Sequence, residues 1–381
     1  MIKKGARVLI GLSGGVDSAV AAYLLKKAGY QVVGGFMRNW DAMANNDILG
    51  NPTISDQQCP QESDYDDAKA VADKLGIELL RVDFIEEYWN DVFAYFLSEY
   101  EKGRTPNPDI FCNKYIKFDA FLNFAKKNGF DFIAMGHYAK RKDCDNVTFL
   151  LKAEDINKDQ SYFLSQISQQ QVASCLFPLG NISKPQVRTI AHELNLKSVM
   201  DKKDSTGVCF IGERRFKEFL MNYLPAKRGD IIDINTRRKI GTHDGVLYYT
   251  IGQRKGLGIG GISGQDAIGW TVVGKDVKKN YLLVASGSND EHLFSDYCLV
   301  RNLNWISGTP TEEKTYGAKF RYRQPDQNVK LSFIDSNTVK VIYSSPVKAV
   351  TPGQAAVFYD GDICLGGGII DEVYRDGKRV L

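Results

Sequence analysis

Two adjacent glycines between an apolar run and an alanine-rich run constrain this chain more than any other feature. Val8-Leu9-Ile10-Gly11-Leu12 comes first, then Ser13-Gly14-Gly15-Val16-Asp17-Ser18, then Ala19 to Leu25. The order reads strand, loop, helix. Glycines carry no Cβ, so backbone N–H groups can approach an anion, and a helix starting near Ser18 aims its positive dipole end at the same place. Ser13 and Ser18 add hydroxyl donors. Asp17 would repel a phosphate, so its expected role is to hold the Mg²⁺ that accompanies a nucleotide. An ordinary strand-to-helix turn needs none of this chemistry. No Gly-Lys-Ser/Thr follows, which excludes a Walker loop.

At 381 residues, 43% hydrophobic and 25% charged, the chain can bury large cores and is expected to form two or three domains. No apolar stretch is long enough to span a bilayer, and Lys3-Lys4 leads only into the first strand, so a cytoplasmic protein with no membrane partner is expected. The charge is uneven. Residues 202–255 hold twelve Lys/Arg against six Asp/Glu, so that window carries +6 in a chain whose net charge is +3. Such a window suits a polyanion larger than a nucleotide as well as it suits a solvated surface. Seven widely spaced cysteines, with no Cys-x-x-Cys, argue against a disulfide framework and against the commonest zinc and cluster spacings.

Along the chain, Gln31 to Met37 reads as a second buried strand, and Met37 at its carboxyl end could pack against an adenine ring. Residues 38–62 read as a surface insertion. A helix over Asp64 to Leu75, a strand over Ile77 to Val82, a helix over Ile85 to Tyr100, a stretch at Thr105 to Lys114 whose two prolines disfavour helix and make a stiff loop, a helical stretch to Lys127 and a strand over Phe132 to Met135 complete a doubly wound parallel sheet. Asp159 to Leu194 reads mostly helical. Beyond Tyr223 come short β-branched and aromatic runs without crossover helices, and the last six are spaced like a small β-barrel. The expected organisation is an α/β catalytic domain over 1–213, a β-rich middle domain over 214–285 and a C-terminal β-barrel over 286–381.

Two cysteines stand in chemically suggestive places. Cys112 follows the stiff loop, where a helix start and Lys114 could stabilise a thiolate, and Cys209 lies near Lys202, Lys203, Arg214 and Arg215. The loop at Ser13 to Ser18 resembles that of the PP-loop ATP pyrophosphatases, which cleave ATP between the α and β phosphates and commonly adenylate a substrate oxygen. That loop, Asn107-Pro108-Asp109 with Cys112, Gly136-His137-Tyr138, Lys158 to Phe163, Gly207 to Gly212 with Cys209, Arg321-Tyr322-Arg323-Gln324 and Thr351-Pro352-Gly353-Gln354 are similar, in order and nearly end to end, to the motifs of the tRNA-specific 2-thiouridylases. Met135 departs from that pattern, which more often has Thr before Gly-His-Tyr. A tRNA lysidine synthetase would not need the cysteine pair, and cluster-dependent thiolases would show Cys-x-x-Cys.

The resemblance implies that sulfur replaces the C2 oxygen of a tRNA wobble uridine. It implies ATP at Gly11, Leu12, Ser13, Gly14, Gly15, Val16, Asp17 and Ser18, with Met37 and Gly136 on the adenine side. It further implies a persulfide on Cys209 loaded by a donor such as a cysteine desulfurase or a sulfur-relay protein, release of that sulfur by Cys112 through a transient Cys112–Cys209 disulfide, and Asp109 as general acid/base. Asn107, Pro108 and Asp109 would meet the target base. His137, Asp159, Gln160, Ser161, Arg321, Tyr322 and Gln354 would touch the tRNA.

Overall fold

The computed structural model describes residues 5–56, 59–203, 211, 214–259 and 269–380. Three β-systems follow one another. The first is a five-stranded parallel sheet in the order β3-β2-β1-β4-β7, made of β1 (Arg7–Gly11), β2 (Gln31–Arg38), β3 (Leu79–Asp83), β4 (Phe132–Ala134) and β7 (Cys175–Leu176). Val8, Leu9 and Ile10 are all fully buried, as expected where helices cover both faces of a parallel sheet. Val8 and Ile10 pack with helices α1 (Val16–Lys27) and α2 (Pro60–Leu75), and Leu9 packs on the other face with Phe118 and Phe121. Pro60 starts α2, and Gly76 ends it at φ +62, in the left-handed conformation that glycine adopts without penalty. Strand order reverses at β1, so the loop after β1 opens at the switch point where open α/β sheets bind ligands.

The middle unit is a four-stranded sheet ordered β10-β11-β8-β9, from β8 (Gly229–Asp233), β9 (Lys239–His243), β10 (Trp270–Asp276) and β11 (Tyr281–Ser286). The last unit is a six-stranded antiparallel barrel. Its strands are β12 (Phe294–Trp305), β13 (Thr315–Lys319), β14 (Gln327–Asp335), β15 (Thr338–Lys348), β16 (Ala355–Asp360) and β17 (Ile363–Arg375), and pairing of β12 with β17 closes it. Val300, Phe320, Leu331, Val341 and Phe358 fill the interior. Five of the six contain most of a run read from the sequence, whereas β13 shares only Ala318 and Lys319 with the run read over Ala318 to Tyr322.

Two features depart from that reading. The 159–194 region contributes a strand, β7, to the parallel sheet. A hairpin of β5 (Lys140–Cys144) and β6 (Val147–Leu151) leaves the α/β region and pairs with β17, extending the barrel's sheet. Among the described residues, no helix is long and apolar enough to cross a membrane.

Candidate active site at the sheet's carboxyl edge

The phosphate loop is shaped by its small residues. Gly14 has φ +68, and a Cβ there would lie 2.3 Å from the Asp64 carbonyl oxygen, so α2 packs directly on the loop backbone and only glycine fits. Gly15 caps α1 in an extended conformation. The Ser13 N–H donates to Ser18 Oγ at 3.2 Å, and Ser18 Oγ donates to the Gly15 carbonyl at 3.0 Å, which closes the turn. A Cβ on Gly136 would sit 2.9 Å from the Ser18 nitrogen, so the end of β4 touches the start of α1. A Cβ on Gly11 would meet the Met135 sulfur at 3.0 Å and Met37 Cε at 3.1 Å. The loop, Met37 and Gly136 therefore converge, and Met135 joins them: two polarizable thioethers flank Gly11, an apolar wall suited to an aromatic base. This cradle fits an adenine nucleotide.

Asp17 does not fit the Mg²⁺ expected there. Its carboxylate accepts Lys184 Nζ on both oxygens, at 2.7 and 2.8 Å, and the Tyr138 hydroxyl at 2.8 Å. Lys184 thus neutralises the acid that the sequence reading assigned to a metal. Among the described residues, no group of three or more His, Cys, Asp or Glu is arranged to hold a metal ion.

On the opposite face of the sheet from α1, Asn107 caps a short helix (Pro108–Phe111) by accepting the Asp109 N–H at 3.2 Å. The chain continues as a π-helical stretch, Cys112–Ala120, before returning to α-helix at Phe121. Cys112 therefore does not open the helix. It lies at the α-to-π junction, after the first turn, fully buried in the core that also holds Leu9 and Phe121 on this face of the sheet. Irregular helical turns of this kind concentrate at functional sites. Asp109 stands three residues earlier, hence on the same helical face. Burial pulls Lys114 below its usual pKa, and its Nζ reaches Gln166 Oε1 at 3.4 Å. Cys209 lies outside the described residues.

The residues assigned to tRNA contact fall into two groups. His137, Gln160, Tyr322 and Asn107 stand around the sheet edge: Gln160 Oε1 accepts the Tyr138 N–H at 3.0 Å, and Tyr322 packs on Phe163 at 4.4 Å between ring centroids. The other four, Asp159, Ser161, Arg321 and Gln354, make contacts between separate parts of the chain. Asp159 and Ser161 are buried, with Asp159 accepting the Ala153 N–H and the Ser161 hydroxyl. The Arg321 guanidinium donates to the Ile251 carbonyl at 2.7 Å and to Thr351 Oγ1 at 2.9 Å. Gln354 Nε2 donates to the Thr105 carbonyl at 2.7 Å, and the Thr105 N–H donates to Pro352. These side chains join the domains around the loop that leads to Cys112.

Lys184 escaped sequence reasoning altogether, while Tyr138 and Lys202 were named only within a motif and the basic window, with no role at the phosphate loop. Lysines belong to no short motif, although Ser183-Lys184-Pro185-Gln186 carries the capping signature of a helix start. In the basic window, Lys202 and Arg214 are consumed by ion pairs with Asp64, Asp67 and Asp47, whereas Lys227, Arg228, Arg237, Arg238, Arg254 and Lys255 remain exposed.

A glycine-pair loop at the switch point of a doubly wound sheet defines a nucleotide-binding α/β domain, here carrying two β-domains. Family models match all three parts: "tRNA methyl transferase HUP domain" over residues 6–213, "tRNA methyl transferase PRC-barrel domain" over 217–286 and "Aminomethyltransferase beta-barrel domain" over 295–370. Full-length relatives are named differently. The chain is 57% identical to the tRNA-specific 2-thiouridylase MnmA of Mycoplasma capricolum over 97% of this chain and 99% of that one, and 50% identical to that of Staphylococcus carnosus over 100% and 99%. It therefore belongs to the tRNA-specific 2-thiouridylase family.

Proposed function

We propose that the protein replaces the C2 oxygen of a tRNA wobble uridine with sulfur, at the expense of ATP. The observation that carries this reading is the approach to the nucleotide cradle of the helical segment that begins with Asp109 and Cys112, whose Phe118 packs on His137 next to Gly136, in a chain whose relatives over nearly their whole length are named 2-thiouridylases. The family models' words about methyl transfer fit the site less well, since a methyl donor requires neither a pyrophosphate loop nor a cysteine.

ATP would lie on Gly11 to Ser18, with Met37, Met135 and Gly136 beside its base. The uridine C2 oxygen attacks the α-phosphate and pyrophosphate leaves, which turns an unreactive oxygen into part of a leaving group. A persulfide donor protein loads sulfur onto Cys209. The terminal sulfur, still attached or released as hydrosulfide, bonds to C2 as AMP departs with the oxygen. Attack of the Cys112 thiolate on the Cys209 sulfur releases the sulfane atom and leaves a Cys112–Cys209 disulfide, which a cellular thiol reduces with two electrons. Asp109, on the same helical face as Cys112, exchanges the protons. Base contact falls to Asn107, Pro108 and Asp109, and RNA contact to His137, Gln160, Tyr322 and the exposed basic window.

The test uses Cys112→Ser and Cys209→Ser. Each is expected to abolish thiolation while leaving ATP–pyrophosphate exchange largely intact. The Cys209 variant should take no label from a persulfide donor, whereas the Cys112 variant should still hold it. Mass spectrometry of the tRNA distinguishes oxygen-to-sulfur replacement from an added methyl group. Full thiolation by either variant would remove the cysteine pair from the mechanism.

A further inference from the structure

Lys202 has no place in the chemistry above, yet its ammonium lies against the phosphate loop. Nζ donates to Asp64 Oδ1 at 2.6 Å, to Asp67 Oδ2 at 2.8 Å and to the Gly14 carbonyl at 3.0 Å. Three donors meet three acceptors, so the group is saturated. The two carboxylates stand three residues apart on α2, whose backbone is the one that packs on Gly14.

A trans peptide is planar, with its C=O and N–H pointing in opposite directions. Holding the Gly14 oxygen toward α2 therefore turns the Gly15 N–H to the other side of the loop. Among the described residues, that N–H has no acceptor in the protein. The Gly14–Gly15 peptide is also the one in the loop least able to hold its own orientation, because it is flanked on both sides by residues that accept left-handed conformations. Rotation by half a turn would present a carbonyl oxygen where a phosphate is to bind, and a carbonyl repels phosphate.

We propose that Lys202 is a positioning residue: it pins the Gly14–Gly15 peptide in the orientation that offers the Gly15 N–H to the nucleotide phosphates. The proposal rests on the ATP reading of this loop. It differs from a direct contact between Lys202 and phosphate, since the ammonium is already committed to Gly14 and the two aspartates.

A double-mutant cycle on the full chain separates the two roles. Gly15 sits at φ −115, ψ 158, which alanine tolerates, and its added Cβ would meet only Ser13 Oγ, at 3.4 Å. Peptide rotation would carry residue 15 toward the left-handed region, which alanine resists. Gly15→Ala therefore supplies by sterics what Lys202 supplies by hydrogen bonding. With calorimetric affinity for a non-hydrolysable ATP analogue as the readout, Lys202→Met should weaken binding about tenfold in the native background, the scale of one charge-assisted hydrogen bond. In the Gly15→Ala background the same change should cost less than about twofold. Lys202→Arg, which keeps charge and donors, should retain most of the affinity and guards against misfolding of the methionine variant. Equal losses in both backgrounds would make Lys202 a direct ligand, and no loss in either would remove it from the site; both overturn the proposal. Failure of the native protein to bind the analogue would instead overturn the ATP reading.

Discussion

His137 is the one histidine at the sheet edge, and its ring is sequestered: Nδ1 is buried without a hydrogen-bond partner, and Phe118 lies 5.9 Å away, centroid to centroid. Burial, reinforced by the nearby Lys117 charge, holds its pKa well below the usual 6.5, so the folded protein keeps the imidazole neutral. The unfolded chain takes up a proton near that ordinary value while the folded chain does not, so stability is lost as pH falls below it. Calorimetric melting from pH 7 to pH 5 should show a falling Tm, with a shallower fall for His137→Gln; parallel slopes would mean other groups carry the acid limb. On the proposed RNA contact, a neutral ring would act through shape or a hydrogen bond, not as a cation. What the sequence showed at this scale was the chemistry carried by motifs. Ser13 to Ser18 advertises itself through glycine and hydroxyl content, whereas Lys184 and Lys202 act through ion pairs with Asp17, Asp64 and Asp67 that only the fold brings near.

Among the elements, the β5–β6 hairpin does the least expected thing. Lys140-Arg141-Lys142-Asp143-Cys144 is too charged to read as a strand, and it forms one because its partner β6 is in turn paired with β17. The adjoining Lys152 fastens this bridge. Its Nζ meets Asp326 Oδ2 at 2.5 Å and the Gly361 carbonyl at 3.2 Å, over the face of Tyr359 at 4.5 Å. Lys152→Met should destabilise docking of the barrel by about 1–2 kcal/mol, visible as earlier proteolytic release of the C-terminal domain with little change in ATP affinity. Unchanged proteolysis would place the docking energy elsewhere. The central strands, by contrast, were legible because a parallel sheet buried on both faces needs uninterrupted apolar runs, and β1 and β2 supply them. β7 was not, since two residues, Cys175 and Leu176, are too few for any period to register.

Across the whole molecule, the three domains meet at the loop that feeds the Cys112 helix. Thr105 bonds to Pro352 and Gln354 of the barrel and lies 3.4 Å, oxygen to oxygen, from Thr250 of the middle domain, while Arg104 pairs with Asp371 at 2.6 Å. Motifs some 250 residues apart in the chain thus form one brace behind Asn107, Asp109 and Cys112. Gly353 is its tightest point: φ is +94, and a Cβ would lie 2.9 Å from the Thr105 backbone. Gly353→Ala must therefore push the barrel and this loop apart. Gly377 provides the control, because it shares a positive φ of +72 but has nothing within 4 Å of an added Cβ, so Gly377→Ala adds strain of about 1 kcal/mol without displacing anything. If the barrel exists to hold the Cys112 helix in register with the phosphate loop, Gly353→Ala should cut thiolation about tenfold or more. Affinity for the ATP analogue should be preserved, since Gly11 to Ser18 lie on elements that the brace does not touch. Gly377→Ala should leave both intact. Comparable thiolation by the two variants would show that the barrel's contact with the loop is dispensable for the chemistry, and would leave RNA contact as its remaining role.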